Sequence, residues 1–405
     1  MSWSAWLDKL SSAHMNHSSN RILTTHCGSL PRPTDLLDLM KAKIHGEPYD
    51  ADAYAACVRR AVADSVRRQV ESGIDVVTDG EQGKSGFFAY VNERLAGFEP
   101  KPGPRPAMFV KEVRDFPEYY KQYFSTAMLG VTIAPLVQFA CTGPVKYRGQ
   151  DAVKRDIENL KAALGGLEPA DVFMPAVAPS GVGKNEFYPT YEEYMSAVAD
   201  ALSQEYRAIV DAGFLLQIDD PFLTELYSFS DLSGAELRKR AEAYVEAVNH
   251  GLRGIPSEKV RYHTCYGINE GPRVHDVPLK DILPMILRVN AGAYSFEAAN
   301  ARHEHEYHVW ETVKLPDGKI IIPGVITHAS NIVEHPELIA ERIVRFARLV
   351  GPENVIAGAD CGFSSQATYQ PEIHPTVIWA KFRALAQGAR LASQQLWGTQ
   401  HTAAS

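Results

Sequence analysis

Three short segments far apart in the chain each follow an apolar, β-like run and each carry soft or anionic groups: Tyr262-His263-Thr264-Cys265-Tyr266, Phe296-Glu297-Ala298-Ala299-Asn300 and Ala359-Asp360-Cys361-Gly362-Phe363. His263 and Cys265 stand two residues apart, so on an extended strand they share a face and reach one metal ion. Glu297 and Cys361 complete a four-ligand set from two other strands, and the set points to zinc. Two thiolates and a carboxylate around Zn²⁺ sum to about −1, which makes a poor activator of water. Hydrolytic zinc needs ligands that leave it positive. An electron-rich, sulfur-ligated zinc suits the capture of a thiol as a thiolate that stays nucleophilic, and hence alkyl transfer to sulfur. The competing readings are a closed structural zinc in a non-catalytic scaffold, or unrelated core residues. Structural zinc usually uses tight C-x₂₋₄-C pairs, and the sequence has none.

Such ligands need strands to carry them. Short apolar runs at 21–26, 74–78, 172–177, 214–218, 260–265, 293–297, 320–327 and 354–359 alternate with amphipathic patterns such as 191–212, 233–251 and 337–350. This rhythm predicts a parallel sheet, and eight such units predict an α/β fold of the (β/α)₈ TIM-barrel type. Active sites in that fold lie at the C-terminal ends of the strands, where the polar clusters fall here. Residues 83–170 are too long for a simple connection and read as an insertion after the second strand. Within it, residues 138–144 are expected to form a hairpin over the barrel mouth. Residues 1–20 read as an N-terminal arm, either mobile or a contact in a homo-oligomer, and 21–395 as a single barrel domain.

The 405 residues include 45% hydrophobic and 22% charged side chains, the balance of a soluble enzyme. A net charge of −8 without a basic tract argues against nucleic acid and for a small-molecule substrate. No apolar run approaches the roughly 20 residues of a membrane span, so no membrane partner is expected. The five cysteines form no disulfide-like framework, which together with the polar N-terminus implies the cytoplasm.

Taken in order, the strand-end motifs resemble the cobalamin-independent methionine synthases and their single-barrel relatives, from about Thr24 to Ser365. They are Cys27-Gly28-Ser29, Gly80-Glu81, Gln217-Ile218-Asp219-Asp220-Pro221, His263-x-Cys265, Glu297, the turn at His328 and Asp360-Cys361-Gly362. The resemblance implies a zinc-dependent methyltransferase of the homocysteine S-methyltransferase type, serving methionine biosynthesis, with His263, Cys265, Glu297 and Cys361 on Zn²⁺. It also implies that Gly28, Ser29, Glu81 and Asp219 bind the amino acid part of the thiol substrate, and that His328 is the catalytic proton donor or relay.

The chain departs from the family where a Trp stacks on folate: the third strand ends in Ala178-Pro179-Ser180-Gly181, leaving Phe187 or Tyr188 as substitutes. Residues 271–279 and 296–306 look more like a branch that opens epoxides with the thiolate of coenzyme M. That branch supplies the alternative activity, with Arg302 as a cation for a sulfonate.

Overall fold

The computed structural model describes residues 14–101, 108–126, 131–134, 137–267, 270–371 and 373–398. Eight parallel strands form a nearly closed barrel: β1 (Leu23–Thr24), β2 (Val76–Val77), β5 (Asp171–Val177), β7 (Leu215–Asp219), β8 (Val260–His263), β9 (Ala293–Phe296), β10 (Ile320–Ile326) and β11 (Ile356–Ala359). Their spatial order is β1-β11-β10-β9-β8-β7-β5-β2. All eight predicted runs became strands, and the barrel is the predicted fold. The helices at Tyr191–Asp211, Gly234–Gly251 and Pro336–Val350 fall where the amphipathic patterns placed them. No helix of the described residues is long and apolar enough to cross a membrane.

The inward stripe of each strand has period two and climbs from an apolar floor to a polar mouth. Leu23, Val76, Phe173, Leu215, Ala293, Ile320 and Ile356 meet at the floor, joined by Met15. One step higher, the Arg261 guanidinium lies 3.8 Å from the centre of the Phe173 ring and donates to Thr25 Oγ1 and the His26 carbonyl. Higher still come Asp219, His263 and Glu297. The alternation that fills the barrel thus also delivers the functional side chains to its C-terminal end.

The described part of the N-terminal segment is packed rather than loose. Met15 is 5% exposed, and Asn16 donates to the Asp171 carboxylate and the Ala170 carbonyl beneath the floor. The rest of the predicted arm, including 3–10, lies outside the described residues.

Between β2 and β5 the chain adds β3 (Leu95–Lys101), β4 (Gln138–Tyr147) and the helices Val110–Asp115, Pro117–Thr126 and Gln150–Leu164. β3 and β4 pair antiparallel, and β6 (Lys184–Asn185) joins β4 in parallel. Residues 138–144, expected to form a hairpin by themselves, are instead the first part of one strand, whose antiparallel partner lies about forty residues upstream. Glu205 of the 191–211 helix ties this layer to the barrel: it pairs with Arg94 and accepts from Tyr90 and Tyr147.

The seam between β1 and β2 is closed by a side chain. Asp75 accepts from the Thr24 N–H, from Thr24 Oγ1 and from both Arg21 terminal nitrogens, while its own N–H donates to the Thr24 carbonyl. Replacing Asp75 by Ala leaves the buried Thr24 N–H without its acceptor. The expected loss is about 2–3 kcal/mol of stability. It should appear as a lower urea midpoint at an unchanged slope.

Candidate active site

His263 ends β8, Cys265 follows two residues later, and Cys361 lies two residues beyond β11. The structure brings them together: one nitrogen of His263 and both sulfurs lie within 4.8 Å of one another, all buried. The Cys361 and Cys265 sulfurs are 3.3 Å apart. Two sulfurs on one tetrahedral zinc at about 2.3 Å each sit about 3.8 Å apart, so the pair needs only a small adjustment. His263 Nδ1 lies 3.0 Å from Ser295 Oγ of β9, while its Nε2 is buried with no hydrogen-bond partner. A partner on one ring nitrogen and a bare second nitrogen is the arrangement of a metal-binding imidazole. Burial, then Arg261, hold His263 down to about 3, so it is neutral and able to ligate. Contact with Cys361 and burial push the Cys265 thiol up, and a divalent cation would reverse that preference.

Glu297, expected as the fourth ligand, stands in a different group, with His328 and Asp360. Its Oε1 accepts from the Tyr266 N–H at 2.8 Å, and its Oε2 accepts from Arg273 Nη2 and Asn300 Nδ2, both at 2.8 Å. Asp360 accepts from the Ala298 and Ala299 N–H groups at 2.7 and 2.8 Å. His328 is 1% exposed, and neither of its ring nitrogens has a hydrogen bond of good geometry. Burial, then the Arg273 charge, hold it down to about 4, so the imidazole is neutral in this state.

Ser29, Glu81 and Asp219 line the same cavity as the cysteines and His263. Gly28 has φ +133°, and a Cβ there would lie 2.9 Å from Pro175 Cγ and 3.0 Å from Glu81 Oε1. Only glycine lets the loop after β1 pass so close to the carboxylate. Its N–H donates to His26 Nδ1, whereas the Ser29 N–H has no such internal acceptor among the described residues. Glu81 itself has φ +55°, left-handed and uncommon for a residue with a side chain, and its Oε2 is buried without a partner. Strain combined with an unpaired acceptor is typical of a binding position. Burial, then Glu81, push Asp219 well above the usual carboxylate range, and burial raises Glu81 also.

The same cavity is lined by Cys27, Phe87, Gly267, Gly362 and Ser365, which the motif reading did not single out as site residues. Phe87 stacks on Phe222 with centroids 6.1 Å apart and supplies the aromatic wall. The substitutes expected for the missing Trp lie elsewhere: Phe187 is 47% exposed, and the Tyr188 hydroxyl accepts from the Val145 N–H. Arg302 is exposed as well. Arg32 links three strand-end loops by donating to the carbonyls of Glu81, Lys84 and Ser364. Nothing local in the sequence marks Phe87, Arg32 or Arg273 as belonging to a site. Their partners come from other loops.

The cavity thus offers two buried carboxylates and a soft His/Cys/Cys set, groups that suit a small molecule with both an amine and a thiol. Residues 22–101 and 188–375 match the family described as cobalamin-independent synthase, catalytic domain. A methionine synthase of Sulfolobus acidocaldarius is 26% identical over 344 residues, covering 84% of this chain and 85% of that protein. One of Sulfurisphaera tokodaii is 25% identical over 345 residues, again 84% and 85%. A B12-independent methionine synthase from Shewanella, solved in complex with selenomethionine, shares the fold with a TM-score of 0.67 at 19% identity, covering 93% of this chain and 99% of that one. The chain belongs to the cobalamin-independent synthase catalytic-domain family.

Proposed function

We propose that the protein is a zinc-dependent methyltransferase that methylates the thiol of a homocysteine-like amino acid, with zinc held by His263, Cys265 and Cys361. The observation that carries this reading is the pair of cysteine sulfurs 3.3 Å apart beside the bare His263 Nε2, in one cavity with Glu81 and Asp219. When bound, zinc supplies a site where the substrate sulfur sits as thiolate, and two thiolates with a neutral imidazole leave the centre with a charge of about zero.

The chain's own residues do the rest. Glu81 and Asp219 receive the substrate ammonium, and the Ser29 N–H is placed to donate to its carboxylate. Phe87, backed by Phe222, gives the cavity an aromatic wall that excludes water. The transfer makes a sulfur–carbon bond and breaks the bond between methyl and donor, whose leaving atom then needs a proton. A neutral His328 can both donate and accept, which suits a relay to that atom better than a stored acid. A sulfonate-bearing thiol would instead meet the two carboxylates, with Arg302 exposed and not among the residues lining the cavity. Epoxide opening with such a thiol is therefore the weaker reading.

X-ray absorption at the zinc edge tests the proposal. Purified protein is expected to contain zinc with two sulfur neighbours, rising to three with homocysteine and staying at two with coenzyme M. An unchanged shell for homocysteine, or a protein that holds no zinc, would overturn it.

The carboxylate pair gives a second expectation. A carboxyl whose pKa is raised by folding adds stability below the ordinary range near pH 4, and that contribution is lost as pH rises through the folded value. At pH 7 and above, Asp219→Asn should therefore make the substrate-free protein more stable to heat, with the gain vanishing as pH falls below about 4. The same variant should bind homocysteine on the order of 100-fold more weakly by calorimetry. Loss of stability at neutral pH would contradict the assignment of Asp219 as an ionised receptor for an ammonium group.

A further inference from the structure

Resting on the reading that Glu81 and Asp219 receive the substrate ammonium, we infer that Arg32 is a positioning residue that sets the preference for thiols carrying an amine, by fixing the backbone from which Glu81 projects. Arg32 lies in the loop after β1 and is buried. Its Nε donates to the Lys84 carbonyl at 2.9 Å, its Nη2 to the Glu81 carbonyl at 2.9 Å and its Nη1 to the Ser364 carbonyl at 3.0 Å. All three acceptors are main-chain oxygens. The guanidinium thus spends its bonds on the backbone, while Glu81 Oε2 stays buried without a partner.

Two of these bonds act on a single turn. The Lys84 N–H donates to the Glu81 carbonyl at 3.0 Å, and Arg32 grips the carbonyls of both residues, the first and the last of that turn. From the other side, Asp79 Oδ1 accepts from the Glu81 N–H at 2.9 Å. Glu81 is thereby kept at φ +55°, a left-handed conformation that a residue with a side chain adopts only where its surroundings fix it. Backbone angles decide where a Cβ points, so releasing the turn redirects the carboxylate. The loss would fall on the group that meets the ammonium.

The third bond ties in the loop after β11, whose Gly362 and Ser365 line the cavity together with Ser29, Glu81 and Asp219. Main-chain bonds run beside it: the Leu30 N–H donates to the Gly80 carbonyl at 3.0 Å, and the Phe87 N–H to the Ser365 carbonyl at 2.9 Å. The cysteines have other supports. On either side of Cys361, the Asp360 N–H donates to the Ile326 carbonyl and the Phe363 N–H to the Ser29 carbonyl, both at 3.0 Å, while the Cys265 carbonyl accepts from Thr224 Oγ1. Loss of Arg32 is therefore expected to disturb the amine end of the site and to spare the sulfur end. A lysine presents its donors from one point and cannot span three carbonyls as the planar guanidinium does.

Calorimetry on the full-length, zinc-loaded protein tests this with homocysteine and with γ-mercaptobutyrate, the same thiol acid without the amine. Wild type is expected to prefer homocysteine by on the order of 100-fold. Arg32→Met should weaken homocysteine by about tenfold or more and leave γ-mercaptobutyrate within about threefold of wild type. Arg32→Lys, which keeps the buried charge but not the three-way grip, should lose most of the preference as well.

An equal loss for both thiols would reduce Arg32 to a general structural role and overturn the inference. Homocysteine affinity unchanged in both variants would overturn it also. Should Arg32→Met fail to fold, the ratio measured in Arg32→Lys decides alone. Wild-type protein that binds the two thiols alike is a separate result, which removes the ammonium reading itself and the inference with it.

Discussion

The mouth of this barrel buries acids that its own cations only partly neutralise, and most of the local structure follows from that imbalance. Asp79, Glu81, Asp219, Asp220, Glu297 and Asp360 are all buried there, with Lys84, Arg32 and Arg273 among them and Arg261 beneath. Charge in a dry site is costly unless paired or hydrogen-bonded. The protein meets that cost in two ways. Glu297 and Asp360 are satisfied internally, by Arg273, Asn300 and backbone N–H groups. Glu81 keeps a buried oxygen without a partner, and Asp219 is driven toward its protonated form. The first group is structural in the free protein. The second is unfavourable without a cationic ligand, which is the condition a binding site needs.

Backbone conformation maintains this arrangement. Glu81 and Arg273, an acid and a base, are both left-handed non-glycine residues. Each is held from outside: the Glu81 carbonyl accepts from Arg32, and the Arg273 N–H donates to Glu112. A conformation costing on the order of 1–3 kcal/mol persists only where its surroundings fix it. Gly362 plays the complementary role, since a Cβ there would come within 2.0 Å of Ser29 Oγ. The glycine of Asp360-Cys361-Gly362 is thus explained by packing against the loop after β1, which lets the loops of first and last strand share one cavity.

Much of this was legible in the chain because the barrel repeats one simple pattern. A parallel strand covered on both sides reads as a short apolar run, and all eight were visible in that way, even β1 and β2, whose ladders are only two residues long. The His-x-Cys and Asp-Cys-Gly turns were legible because soft ligands are rare at strand ends. Glu297 illustrates the limit. Its position at the end of β9 was evident, but its partner was not, since Arg273 sits in an irregular loop and depends on Glu112, 161 residues earlier. Phe87 escaped for a related reason: it lies in a turn, and only the fold brings it to Phe222, the first residue of the helix Phe222–Phe229. Local periodicity encodes which face a residue takes, not which distant charge will meet it.

The charge balance connects these observations to the proposed chemistry. With zinc on two thiolates and a neutral imidazole, the proposed centre would be close to neutral and would still attract an incoming thiolate, whose sulfur would remain electron-rich. The Arg273 guanidinium pairs with Glu297, whereas Glu81 and Asp219 line the cavity where a substrate cation would bind. These buried acids can then occupy one small volume without opposing one another, because each has a different cation to satisfy it.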